Sequence, residues 1–300
     1  MIVTGSKSRE NDIALLLKEA CHFNDTQVRS WMLHPHDPST VFCLYEGKRL
    51  IGLMKSLERT FFFHGKKAKA AFLLSPILLP EHDTAANRKD LWKAALNTAE
   101  KNCLLIFYRE KNPDQPWDKT FAPVFHSFMY SIAMDGKVSH VPGIVRPAKS
   151  GDDLYGLYTS FIDLFDGCVK LNPEEFDQNL RFAKASQKKI MVHENGSQID
   201  GLYIASAHKN RLQMETIFYT SPQALVQMIE QAAKVWSAID VHVSGCENLG
   251  AVFGCKGRPE DALMVKIPNL SLFNAWQNAN YQDFAQAFNS LNHPSWNKFV

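Results

Sequence analysis

One arrangement of strands, turns and helices occurs twice in this 300-residue chain, about 140 residues apart, and a repeat that long predicts two related units rather than a solenoid. In the first copy residues 41–45 read as a strand, and Glu46-Gly47-Lys48 as a tight turn. A long strand over 49–63 ends in Phe61-Phe62-Phe63 and turns at His64-Gly65-Lys66. A third strand runs to about residue 79, a polar stretch over 81–87 leads into a helix ending near 102, and 104–108 reads as a short buried strand. The second copy follows the same plan with strand 189–193, turn Glu194-Asn195-Gly196, strand 199–207, turn Lys209-Asn210, strand 212–219, helix 221–237 and strand 240–244. Asn-Gly and Gly-Lys pairs between alternating runs are hairpin turns because they accept positive φ. Paired helices precede each meander, over 12–22 and 26–33 in the first copy and over 152–164 and 173–182 in the second. In helix 221–237, Ser221-Pro222 supplies an N-cap and a proline at the first helical position. Leu225, Ile229, Ala232, Ala233 and Trp236 then share one face, so this helix packs on a sheet.

Length agrees with two domains. A net charge of +2 predicts no nucleic-acid partner, and the absence of a long apolar run predicts no membrane span. Residues 1–12 are too polar for a signal peptide, which makes cytoplasm the expected compartment. The six cysteines are scattered through apolar segments and read as reduced packing thiols. Periodicity breaks near Val141-Pro142-Gly143, before Ile144-Val145-Arg146-Pro147 opens the second copy.

In its order of elements the chain resembles the GNAT N-acetyltransferases. Two such units in tandem are similar to the enhanced-intracellular-survival group, whose members carry a third, sterol-carrier-like domain for which these 300 residues are expected to leave only a short tail. The resemblance covers residues 1–266. Leu78-Leu79-Pro80-Glu81-His82 is similar to the end of the strand before the family's acetyl-CoA loop, and Phe125-His126-Ser127-Phe128-Met129-Tyr130 to its Tyr-Gly-Arg-Phe-Gly-Tyr segment. It implies an α/β (α+β) architecture of two tandem GNAT-like units, each a mixed, mostly antiparallel sheet flanked by helices. Those units would be residues 1–142 and 143–268, followed by a helical tail over 269–300. It also implies acetyl-CoA as cofactor and a small-molecule or peptide amine as acceptor, attacking the thioester directly.

The family's loop places successive backbone amides of a Gln/Arg-x-x-Gly-x-Gly/Ala turn against the pyrophosphate. Aligned without gaps, those three positions fall on Asp83, Ala86 and Arg88, none of which fits the pattern. Asp83 reads as an N-cap carboxylate that competes with an anion for the same amides. Arg88 and Lys89 offer side-chain contacts to phosphate instead. The candidate cofactor residues are therefore Leu78, Leu79, Asp83, Ala86, Asn87, Arg88 and Lys89. In the second copy Pro222 removes an amide donor at the corresponding place and no base is near, so that unit reads as structural.

The family's acid is a tyrosine that opens the Tyr-Gly-Arg-Phe-Gly-Tyr segment, and Phe125 stands there with no proton to give. Tyr108, Tyr130 and His126 are the candidate catalytic residues, and the family's base, a carboxylate ending its third domain, leaves an oligomer neighbour, Glu58 or His126 as replacements. The alternative is a catalytically inactive GNAT fold that binds a ligand or partner. Cys21-His22 with His34-Pro35-His36-Asp37 has no metal-site spacing, and no metal is expected. Adjacent His126-Ser127 point apart and form no nucleophilic pair. The stripe Phe284, Phe288 and Leu291 needs a covering surface, either the preceding units or a second copy in a homo-oligomer.

Overall fold

The computed structural model describes residues 1–5, 7–33, 40–133 and 143–296. Its first half runs β1 (Ile2–Thr4), α1 (Glu10–Cys21), α2 (Asp25–Leu33), β2 (Val41–Glu46), β3 (Arg49–Phe63), β4 (Lys66–Leu73), β5 (Ile77–Leu78), α3 (Ala85–Asn102), β6 (Leu105–Glu110) and β7 (Ala122–Ile132). The second half runs β8 (Ile144–Pro147), α4 (Leu154–Ile162), β9 (Cys168–Val169), α5 (Pro173–Ala185), β10 (Lys189–Asn195), β11 (Gln198–His208) and β12 (Arg211–Tyr219). It continues with α6 (Pro222–Ala233), β13 (Ala238–Ser244), α7 (Leu249–Phe253) and β14 (Arg258–Lys266), and the tail carries α8 (Leu270–Gln277) and α9 (Phe284–Asn289). The repeated order of elements is thus present, in a mixed α/β structure whose sheet is mostly antiparallel. His34, His36, Asp37 and the break at Val141-Pro142 lie outside the described residues.

The hairpins form for the reasons the sequence gives: Gly47 and Gly196 turn with φ of +58° and +65°, where an L side chain would be strained. Helix α5 is fixed by a full capping box, Glu175 N donating to Asn172 Oδ1 at 2.9 Å and Asn172 N to Glu175 Oε2 at 2.8 Å. Ser221 caps α6 by accepting from Ala224 N at 3.1 Å.

The two halves share one sheet, in the order β1-β2-β3-β4-β6-β14-β7-β13-β12-β11-β10-β8. The last strand of the second half, β14, lies between β6 and β7 of the first, and β7 pairs with β13 of the second. Each half therefore completes the other's sheet. Among the described residues two parallel pairings occur, β4 with β6 and β12 with β13, each spanned by its crossover helix.

Three cores follow from this layout. One covers β2, β3 and β6 under α1 and α3, and another packs α6 on the second-half strands. The largest joins the halves: Phe61, Phe63, Phe107 and Phe125 meet Tyr158, Phe176 and Phe218. The tail closes this central core, with Phe288 in ring contact with Phe61, Phe63, Phe107 and Phe125. Lys66 Nζ caps α8 by donating to the carbonyls of Trp276 and Gln277, at 2.9 and 3.0 Å. The stripe of Phe284, Phe288 and Leu291 is thus covered by the chain itself.

Two local expectations are corrected. The third strand ends at Leu73 rather than near 79, because the chain leaves β4 and returns through β5 to pair with β3. Asp83 is not the cap of α3: Thr84 is, its Oγ1 accepting from Asn87 N at 3.2 Å, while the Asp83 carboxylate is taken by Arg88.

Candidate functional site

Where β4 and β6 run parallel, Ala70 pairs with Leu105 and Leu73 with Tyr108, and beyond that pair the strands separate. β4 bends away to β5, which pairs Ile77 and Leu78 with Leu53 and Gly52 of β3. β6 continues straight along β14 as far as Glu110. The wedge between them opens at the carboxyl ends of parallel strands and beside the start of α3, the place where open α/β sheets bind ligands. A cavity of about 460 Å³ fills it.

Its floor is Leu73 and Tyr108, its walls Ser75, Pro76 and Trp92, and its rim Arg88, Arg109, Glu110, Lys111 and Trp117. The rim loop is organised by one carboxylate. Glu110 accepts from the amides of Lys111, Asn112 and Trp117 at 2.9, 3.2 and 3.0 Å, which leaves the Trp117 ring 47% exposed at the mouth. Trp92 Nε1 donates to Asp118 Oδ2 at 3.1 Å and packs edge-on to Tyr108, with centroids 5.0 Å apart. Arg88 and Arg109 are anchored by Asp83 and Asp261, so their guanidiniums are held in place beside the opening.

Tyr108 is the chemical group at the base. It is 5% exposed, and its hydroxyl, close to the Glu110 side chain and the Asp118 backbone, has no partner in good hydrogen-bond geometry. Burial pushes its phenol up to about 12, so it is a protonated donor across physiological pH. A buried hydroxyl without a partner is costly, and the cavity it faces is where its partner would come from.

Of the other expected residues only Arg88 reaches this cavity. Leu78 and Leu79 are core residues beneath it, Leu78 packing against Gly52. Asn87 donates to His82 O at 2.8 Å and stabilises the turn before α3, while Ala86 and Lys89 are exposed. Asp83 sits at the helix start with its carboxyl held below the usual range by Arg88. None of the described residues from 66 to 133 has positive φ, so no backbone nest for an anion forms there.

Tyr130 is elsewhere. It belongs to the α6 core, its ring lies against Gly257 and Gly250, and its hydroxyl reaches Glu247 O at only 3.5 Å. His126 is exposed on β7 and its neighbour Ser127 is buried, so the two do point apart. Glu58 pairs with Lys69 at 2.8 Å. Phe125 lies in the central core, ring to ring with Phe61 and Phe288. The sequence reading missed Ser75, Trp92, Arg109, Lys111 and Trp117; the last two lie on a loop after β6 that has no periodicity and is shaped by the carboxylates of Glu110 and Asp118.

The wedge of the second half is built differently. Glu247 accepts from Tyr219 Oη at 2.9 Å and Ser244 N at 3.1 Å, and desolvation raises its carboxyl to about 7. All cysteines are free thiols, and among the described residues no group of His, Cys, Asp and Glu could hold a metal. No described helix is long and apolar enough to cross a membrane.

No family model matches this chain, and no curated protein does. Solved structures do. A GCN5-related N-acetyltransferase from Anabaena variabilis superposes with a TM-score of 0.69 at 12% identity, over 90% of this chain and 73% of that one. Eis1 from Mycobacterium abscessus matches with a TM-score of 0.61 at 13% identity, over 94% and 77% of the two chains. The N-myristoyltransferase of Saccharomyces cerevisiae, solved with bound myristoyl-CoA, matches with a TM-score of 0.61 at 10% identity, over 89% and 78%. At such identities the likeness is one of fold.

Proposed function

From a fold shared with GCN5-related N-acetyltransferases, we propose that this chain is an acyl-CoA-dependent N-acyltransferase whose cofactor enters the wedge between β4 and β6. The observation that carries the reading is the Tyr108 hydroxyl, buried without a partner at the base of a cavity rimmed by cations. Acyl-CoA would supply a thioester carbonyl to an amine acceptor. Arg88 and Lys111 face the phosphates, and Trp117 offers an exposed ring on which a base can stack. Trp92, Leu73 and Pro76 exclude water from the narrow end. Tyr108 holds a proton where a leaving thiolate needs one.

The residues fit the apolar and cationic parts of such a cofactor and not its usual amide cradle. Thr84 occupies an amide of the first turn and Asp83 brings a negative charge to it. That observation favours a second reading, a GNAT fold that has lost turnover and keeps only ligand binding. Titration calorimetry with acetyl-CoA and with free CoA separates them when combined with an amine screen. Micromolar binding with turnover that falls in Tyr108→Phe supports the enzyme; binding without turnover supports the second reading; no heat at millimolar ligand removes both.

A further inference from the structure

A second cavity, of about 400 Å³, opens where β14 begins, lined by Arg109, Lys111, Arg258, Pro259, Glu260 and Asp261. Tyr108 and Arg109 are neighbours on β6, so their side chains leave opposite faces of the sheet. Tyr108 packs in the core under α3, whereas the Arg109 guanidinium lies over Trp296 of the central core, 6.0 Å from the ring centroid. Arg109 and Lys111 nevertheless line the wedge as well, so the two cavities meet over the end of β6.

The charges of this cavity are layered. Pro259 pairs with Phe128 and Ala262 with His126, so β14 spends one residue more than β7 across this step, a bulge that re-aims the side chains it carries. Its two carboxylates are engaged within the protein. Asp261, with a side chain 7% exposed, accepts from Arg109 Nε at 2.6 Å and from Nη2. Glu260, at 18%, meets Nδ1 of the buried His242 at 2.7 Å. The cations face outward instead. The Arg258 side chain is 69% exposed and meets Glu260 Oε1 only at 3.6 Å, the Arg109 side chain is 45% exposed, and Lys111 is exposed with no carboxylate paired to it among the described residues. A concavity that shows cations to solvent and withdraws its acids concentrates anions.

We propose that this second cavity holds the anionic end of the acceptor, a carboxylate or phosphate taken by Arg258 and Lys111, while the acceptor's amine reaches over Arg109 into the wedge. The inference rests on the acyl-transfer reading and names the class of its acceptor. Guanidinium and ammonium donors suit either oxyanion. The register sets the acceptor's length: Met264 pairs with Tyr108, and Arg258 lies farther along β14 by roughly 15 Å, at about 3.3 Å per residue with the bulge allowed for. An acceptor that spans the two cavities is therefore elongated, its amine and its anion separated by several methylenes or their equivalent. Its amine arrives from the face of the sheet opposite Tyr108.

The experiment uses the full chain and three matched sets of probes: ω-amino carboxylates of four to eight methylenes, ω-aminoalkyl phosphates of the same lengths, and the primary amides of the acids. Each is titrated calorimetrically and then assayed with acetyl-CoA. At least one anionic probe binds, at least tenfold more tightly than the amide of its length, and the set it belongs to identifies the oxyanion. Arg258→Glu and Lys111→Glu, both at exposed positions, each remove that preference, while Lys89→Glu, at an exposed cation outside both cavities, keeps it. Equal binding of anion and amide by the wild-type chain, no binding by any anion, or a preference that survives Arg258→Glu overturns the subsite. So does a tenfold effect of Arg258→Glu on CoA that vanishes with 3′-dephospho-CoA, which would give the cavity to the cofactor. Anion binding that Arg258→Glu removes, with no acyl transfer to any probe, leaves the subsite standing and defeats the acyl-transfer reading.

Discussion

Arg88 grips Asp83 through two contacts, Nε to Oδ1 at 2.5 Å and Nη2 to Oδ2 at 2.6 Å, so a carboxylate of the chain itself is held where α3 begins. A pyrophosphate arriving at that helix start meets a negative charge already paired with the nearest guanidinium. Removing the carboxylate releases Arg88. Asp83→Ala is expected to tighten CoA binding by about tenfold, equivalent to about 1.4 kcal/mol, and Arg88→Glu to weaken it by at least as much. Calorimetric titration of both variants checks the pair; equal affinity in all three proteins would mean that the ligand does not approach this helix.

Tyr108→Phe separates stability from function. Because the hydroxyl has no hydrogen-bond partner, deleting it leaves the melting free energy within about 1 kcal/mol of wild type or improves it. Turnover with any accepted amine falls at least tenfold. A large loss of stability would show that the hydroxyl is paired in the free protein.

Tyr130 is expected to behave in the opposite way. A Cβ on Gly257 would stand 2.6 Å from Tyr130 Cζ and 2.8 Å from Cε1, so Gly257→Ala is expected to cost about 2 kcal/mol by chemical denaturation. Tyr130→Phe leaves turnover unchanged, since the ring packs in the α6 core away from the wedge.

Two buried groups give the stability profile a shape. Glu247 holds its proton more tightly in the folded chain, with its carboxyl raised from 4.5 to about 7, so stability is lost as pH rises through that window. Lys55 holds its proton less tightly when folded, its ammonium lowered from 10.5 to about 7, so the unfolded chain binds more protons above 7 and stability rises again. Their combined contribution has a minimum near pH 7, the acid limb on the order of 3 kcal/mol and the alkaline limb on the order of 5 kcal/mol. Denaturation curves from pH 4.5 to 10 should show Glu247→Gln flattening the acid limb and Lys55→Met the alkaline one.

Phe288→Ala tests the tail. The ring touches four phenylalanines of the central core, and truncation should cost about 3–5 kcal/mol. Retained stability would mean that the tail is not part of the folded unit.

What the sequence made legible was whatever local pattern determines. Alternation located β3 and the meander strands, and Ser221-Pro222 located α6. Topology was not legible, because nothing in residues 258–266 says that their neighbours will be β6 and β7 rather than a strand of their own half. The cap of α3 went to Asp83 in the reading and to Thr84 in the structure, since a capping preference cannot see that Arg88, five residues on, claims the carboxylate. Of the wedge, Tyr108 was legible from its place at the end of a strand, and Arg88 from the alignment of the family's loop with residues 83–88. Trp117 and Lys111 depend on a loop folded around Glu110.

The placement of β14 bears on how the chain acquires its structure during synthesis. When residues 1–133 have emerged, β6 and β7 exist but the strand that belongs between them does not, and it is more than a hundred residues away in sequence. Until it arrives, both strands present unpaired edges, a liability for association with other nascent chains. Folding of the first half is therefore gated by a strand translated long after it, and that half is not expected to persist as a fragment: expressed without residues 258–266, it should be recovered aggregated or bound to chaperones.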